Sequence, residues 1–187
     1  IIDPQSDFHN KTQDILVENG VIVAISDTIE NTNNYKELRL DNLHVSQGWF
    51  DSSVCFGEPG HEERETIENG LRTAAFSGFT AVAVNSDTQP VVDSGSEVAF
   101  LKSKAKDHGV TVLPIGALTK DYNQKDLAEL FDMHQAGAVA FNDYKTSTGN
   151  ANLIKLALQY ASNFDGLVCS FPHNESIAGI GVMNEHI

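Results

Sequence analysis

The chain has 187 residues, 41% hydrophobic and 20% charged, enough to bury a real core in one domain or one and a half. Acidic residues outnumber basic ones 26 to 12, a formal net charge of −14. That argues against nucleic acid and anionic membrane surfaces as partners, because both are gripped by clustered Lys and Arg. No apolar run approaches the roughly 18 residues of a membrane-spanning helix, and no secretory leader pattern opens the chain. The two cysteines, Cys55 and Cys169, sit in apolar runs, so free buried thiols in a reducing cytoplasm are expected.

Residues 1–47 read as β-rich. The runs Asp14–Glu18 and Val21–Ile25 flank Asn19-Gly20, a strong hairpin signal. Thr28–Lys36 is polar and Asn-rich, a loop, and Leu38-Arg39-Leu40 alternates like a third short strand. From Gly48 the pattern changes. A strand over Trp49–Phe56 runs into Gly57-Glu58-Pro59-Gly60. A helix follows, with Ile67, Leu71, Ala74 and Ala75 on one face, then a strand over Phe79–Val84. The second helix carries Val98, Leu101 and Ala105 and stops at Gly109 before a strand over Val110–Ile115. Leu127, Leu130, Phe131 and His134 mark a third helix, and Ala138–Phe141 a short strand. Ile154, Ala157, Leu158 and Ala161 mark a fourth helix, and Leu167–Phe171 the last strand. Continuous apolar strands alternating with helices predict a parallel sheet buried on both faces. A doubly wound sheet and a (β/α)8 barrel both fit that rhythm. The first βα turn lacks the G-x-G-x-x-G of a dinucleotide-binding fold.

Several strings resemble the dihydroorotases of the amidohydrolase superfamily. They are Val45-Ser46-Gln47-Gly48-Trp49-Phe50-Asp51, Glu58-Pro59-Gly60, Glu65–Gly70, and Gly78-Phe79-Thr80 followed by Thr88-Gln89-Pro90-Val91. Leu113–Lys120 and Gly137–Phe141 continue the pattern, and the resemblance runs from about Asp14 to Glu185. It implies the N-terminal portion of a (β/α)8 TIM-type barrel, about five βα units, preceded by part of a small β-sandwich. The implied division is 1–47 for the sandwich and 48–187 for the barrel. A whole barrel takes about 250 residues, so the chain reads as truncated. The string Gly181-Val182-Met183-Asn184-Glu185 reads as the middle of such a chain.

The family hydrolyses a cyclic amide by metal-assisted attack, with ligands at the strand ends. Its positions are altered here. The two strand-one histidines fall on Ser53 and Cys55, and the substrate-binding arginine falls on Gly57. A substrate-binding asparagine falls on Asp87, whose charge would repel a substrate carboxylate. The strand-five histidine falls on Ser170. Only Asp143 keeps a ligand type, and alone it reads as a solvated loop residue or helix cap. The expectation is a catalytically degenerate dihydroorotase-like protein of pyrimidine biosynthesis with a scaffold or regulatory role, no confident catalytic or metal residue, and no cofactor. Resemblance suggests aspartate carbamoyltransferase, or a second copy of the chain, as partner. Two alternatives stand beside it. One is an active zinc-dependent cyclic amidase that pairs Asp143 with Cys55, His61 or His173. His173 lies three residues past Ser170, a span of about 10 Å when extended. The other is a small-molecule binding module using the barrel mouth.

Overall fold

The computed structural model describes residues 1–179. The stretch Gly181–Glu185 lies outside them. The chain divides into two compact units, Ile1–Gly48 and the remainder from Trp49.

In the first unit, β1 (Asp14–Glu18) and β2 (Val21–Ser26) form an antiparallel hairpin. Asn19 and Gly20 both take positive φ, 51° and 79°, as a two-residue hairpin turn with the twist of its strands requires. A register shift between Leu16 and Val17 bulges β1. The alternating Leu38-Arg39-Leu40 does not become a strand: it has no ladder partner, and Leu38 and Leu40 remain exposed. Alternation describes a half-buried face, and here no face is buried.

The second unit holds five parallel strands in strictly sequential order. They are β3 (Trp49–Val54), β4 (Phe79–Val84), β5 (Thr111–Gly116), β6 (Ala140–Phe141) and β7 (Leu167–Val168). A doubly wound sheet reverses its strand order at a switch point. No reversal occurs here, and the sheet curls as a half-barrel. The helices α1 (Ile67–Phe76), α2 (Gly95–Lys104), α3 (Leu130–Ala136) and α4 (Ala151–Ala161) connect successive strands, and a short α5 (Glu175–Ala178) follows β7.

Alternation along the strands sorts two apolar layers. Val82, Val84, Val112 and Phe141 join Ile67, Leu71, Val98, Leu101, Leu130 and Met133 in the main core beneath the helices. Ala83, Ile115 and Ala140, with Leu113 and Cys169, form a smaller cluster on the opposite face. That inner face is built largely from small residues, which suits a tightly curled sheet.

Some boundaries differ from the periodicity. The third helix starts at Leu130 rather than near Leu127, because Leu127 pairs with Thr119 in an isolated bridge. The α4 core face is Leu153, Ala157 and Ala161, while Leu158 is exposed. Strand β7 stops at Val168. Neither cysteine is deeply buried: Cys55 is exposed and Cys169 intermediate, because both belong to the inner side of the curled sheet and its rim. Both are free thiols, and no described helix is long and apolar enough to cross a membrane.

Candidate functional site

The carboxyl ends of β3 to β7 carry the chemistry-bearing residues, as expected for a parallel barrel-type sheet. The first strand end leads into a tightly folded loop. Gly57 N donates to Glu65 O at 2.9 Å, and His61 N donates to Gly57 O at 2.8 Å. A Cβ on Gly57 would meet the His61 carbonyl oxygen at 1.9 Å, so no side chain fits there while this loop keeps its path. Glu58 anchors the loop from below. Its Oε2 accepts from Ile67 N at the start of α1, and its Oε1 pairs with Lys104 Nζ at 2.9 Å. A carboxylate at a helix N-terminus satisfies an orphan donor and the dipole together. Gly60, at φ 95°, lies against Gln89, whose N–H donates to Pro59 O. The Glu58-Pro59-Gly60 string therefore performs a structural task here.

The same loop delivers Arg64 to the end of β4. Its Nη2 donates to Asp87 O at 3.4 Å, and its Nη1 lies 4.0 Å from Asp87 Oδ2. Asp87 Oδ1 is buried without a hydrogen-bond partner. Beside it, the Asn85 amide is 1% exposed. Its Nδ2 donates to Ser53 Oγ at 3.0 Å and Val54 O at 3.1 Å, and lies 3.8 Å from Cys55 Sγ. The Val54 carbonyl can only accept, so it fixes which way the amide points. Ser53 Oγ is thereby engaged as an acceptor.

Although Cys55 is exposed as a residue, partial desolvation of its thiol at the strand end pushes it up, with a hydrogen bond from Tyr144 pulling it partly back and a hydrogen bond to Asp87 and the Asp87 charge adding to the rise. A thiol held protonated is a weak nucleophile and a reluctant ligand. Tyr144 is itself raised, first by its hydrogen bond with Cys55. Lys145 is raised first by Tyr144, over whose ring its Nζ sits at 5.0 Å, with Asp87 contributing.

Asp143 is not a solvated loop residue. It is 3% exposed, and its carboxylate is consumed by three donors. Oδ1 accepts from Leu118 N at 3.0 Å and Thr119 N at 2.9 Å, and Oδ2 accepts from Thr119 Oγ1 at 2.6 Å. Asp143 thus pins the loop after β5. That loop carries three non-glycine residues at positive φ, Asp121, Tyr122 and Gln124. It brings the Tyr122 hydroxyl 2.8 Å from Ser86 Oγ, and burial pushes Tyr122 up to about 12.

On the last strand end, Ser170 is exposed, and His173 stacks at 5.8 Å on Phe171. His61 faces Glu63 at 3.8 Å. Among the described residues, no three His, Cys, Asp or Glu side chains converge as a metal-binding group. The structure brings together Ser53, Cys55 and Asp87, with Asn85 between them. It ties Asp143 to the β5 loop and does not join His61 or His173 to these residues. Composition and spacing gave no warning of Arg64, seven residues after the glycine whose conformation lets it turn back.

Residues 44–186 match the family model described as Dihydro-orotase-like. The chain belongs to this dihydroorotase-like family. It is 39% identical over 189 residues to a dihydroorotase of Acetivibrio thermocellus, covering 99% of this chain and 43% of that one. A Geobacter metallireducens dihydroorotase is 34% identical over 186 residues, covering 99% and 44%. The dihydroorotase-like chain thus spans under half the length of these relatives. In fold it is similar to a crystal structure of an adenine deaminase, with a TM-score of 0.58 at 14% identity, covering 90% of this chain and 50% of that one.

The family's zinc chemistry can be tested against the donors present. A hydroxyl engaged by Asn85, a thiol pushed up by partial desolvation and Asp87, an exposed serine and a carboxylate already holding three donors do not fit a zinc ion.

Proposed function

We propose that this dihydroorotase-like chain does not perform metal-assisted hydrolysis and serves instead as a scaffold or regulatory member of the family. Its five sequential parallel strands correspond, in this reading, to the leading strands of a (β/α)8 barrel, with residues 1–47 a part of the flanking β-sandwich. The observation that carries the proposal is Asp143. It alone keeps a ligand type at a family ligand position, and both of its oxygens are engaged by Leu118 and Thr119 through three hydrogen bonds. Gly57 adds weight, since the folded loop leaves no room for an arginine side chain there. The proposed partner is aspartate carbamoyltransferase or a second copy of the chain.

Metal analysis of the purified chain, coupled to a dihydroorotate hydrolysis assay with and without added zinc, tests the reading. No stoichiometric zinc and no zinc-restored turnover are expected. Stoichiometric zinc with turnover would overturn it and favour an active cyclic amidase. Co-elution with aspartate carbamoyltransferase, against the chain alone, tests the partner.

A further inference from the structure

The amino ends of β4 and β5 form the opposite rim of the sheet from the strand ends described above. Helix α1 buries Ile67 and Leu71 and ends on Phe76, about two and a half turns after Ile67. Phe76 is therefore turned from the core, and at 87% exposure it is the most exposed large apolar side chain among the described residues. It borders an open hollow of about 480 Å³ with Glu68 and Arg72 of the same helix and His108 of the turn before β5. His108 also borders a second hollow of about 210 Å³, lined by Lys102 and Lys106 beside the buried Val110 and Val112.

The charge of this rim runs against that of the chain. The two linings take three of the 12 Lys and Arg residues but only one of the 26 Asp and Glu, Glu68. Asp107, exposed between Lys106 and His108, lines neither hollow. Among the described residues, Arg72, Lys102 and Lys106 make no ion pair, whereas nearby Lys104 pairs with Glu58. Arg72 donates to the neutral amide oxygen of Asn69. The helix dipole accounts for Lys102 in the last turn of α2, but Lys106 lies past that turn.

We infer that this rim is a docking surface for an acidic protein segment carrying one large apolar side chain. The apolar anchor packs on Phe76 in the larger hollow, and its flanking carboxylates reach Arg72, Lys102 and Lys106. An exposed aromatic ring beside unpaired cations has the make-up of an interface hot spot. At physiological salt, charges are screened beyond about 8 Å, so the local cations outweigh the net charge of −14 for a segment already at the surface. The rim lies away from the carboxyl ends of the strands, so the inference stands whether or not the chain hydrolyses a cyclic amide.

The experiment selects a random peptide library displayed on phage against the full chain, with Phe76→Ser/Lys106→Glu as the counter-selection. The peptide recovered most often is then synthesised and titrated by fluorescence anisotropy against the chain and its Phe76→Ser, Arg72→Glu and Lys106→Glu variants. Enriched peptides should carry Asp and Glu beside an aromatic residue or leucine. Each substitution should weaken binding by about tenfold or more, as should replacing the peptide's acids with amides. All three positions are exposed, so the variants should melt like the unmodified chain; if Phe76→Ser melts lower, the two charge reversals decide. No enriched sequence, enrichment without acidic bias, or equal affinity across the variants overturns the proposal. A single-stranded RNA oligonucleotide that binds more tightly than the peptide and ignores Phe76→Ser would make the rim a polyanion site and overturn it. So would a dimer in analytical ultracentrifugation that Phe76→Ser dissolves while no peptide is enriched, which would assign a second copy. Zinc-restored turnover would refute the non-hydrolytic reading and change none of these titrations.

Discussion

Replacing Asp143 with alanine separates a structural latch from a leftover catalytic group. The carboxylate holds two buried backbone N–H groups, on Leu118 and Thr119, and the Thr119 hydroxyl, all at 2.6–3.0 Å. Leu118 and Thr119 are 1% and 0% exposed, so water cannot replace the lost acceptor without opening the loop. Hydrogen bonds to a charged group contribute about 1.5–3 kcal/mol each, and buried donors left unpaired cost a similar amount. Asp143→Ala should therefore destabilise the chain by about 3–5 kcal/mol, a large share of the roughly 5–15 kcal/mol a domain has. The melting temperature should fall by about 6–20 °C. Asp143→Asn keeps an acceptor for the N–H pair and should cost less, about 1–2 kcal/mol. Urea unfolding followed by fluorescence of Trp49, the only tryptophan, reads the barrel-type unit directly. A residue kept only for catalysis behaves oppositely, since removing functional groups is commonly neutral or stabilising. An alanine variant within about 0.5 kcal/mol of the unmodified chain would refute the latch.

Three further outcomes follow from the same geometry. Gly57→Ala should be strongly destabilising despite its small size, because its Cβ meets the His61 carbonyl oxygen at 1.9 Å; a thermal melt equal to the unmodified chain would show that the loop yields freely. Tyr122 is neutral when protonated and its pKa rises from 10.0 to about 12 on folding, so its contribution is complete below 10 and is lost as pH climbs toward 12. Chemical denaturation across that alkaline window should show this loss, and Tyr122→Phe should remove it; an unchanged slope in the variant would contradict the assignment. Cys55 should alkylate faster in Asp87→Asn, since the Asp87 charge helps keep the thiol protonated, and slower in Tyr144→Phe, since Tyr144 opposes that effect. Peptide mass spectrometry after timed iodoacetamide labelling measures both, and equal rates in all three chains would count against the arrangement.

The sequence by itself determined the βα rhythm, the Asn19-Gly20 hairpin and the helix faces set by Ile67, Leu71, Val98 and Leu101. These depend on periodicity and local turn chemistry, which are properties of neighbouring residues. The family was legible too, in the ordered strings from Val45 to Phe141. Sheet order was not, because an apolar strand reads alike in a doubly wound sheet and a curled one; only the pairing of β3 through β7 in sequence decided that. Nor could spacing reveal that Asp143 is buried, since its donors lie 24 and 25 residues away on another strand end. Arg64 reaches Asp87 across 23 residues for the same reason. Which polar groups face one another depends on strand register and on loops folding back, and those contacts exist only once the sheet has curled.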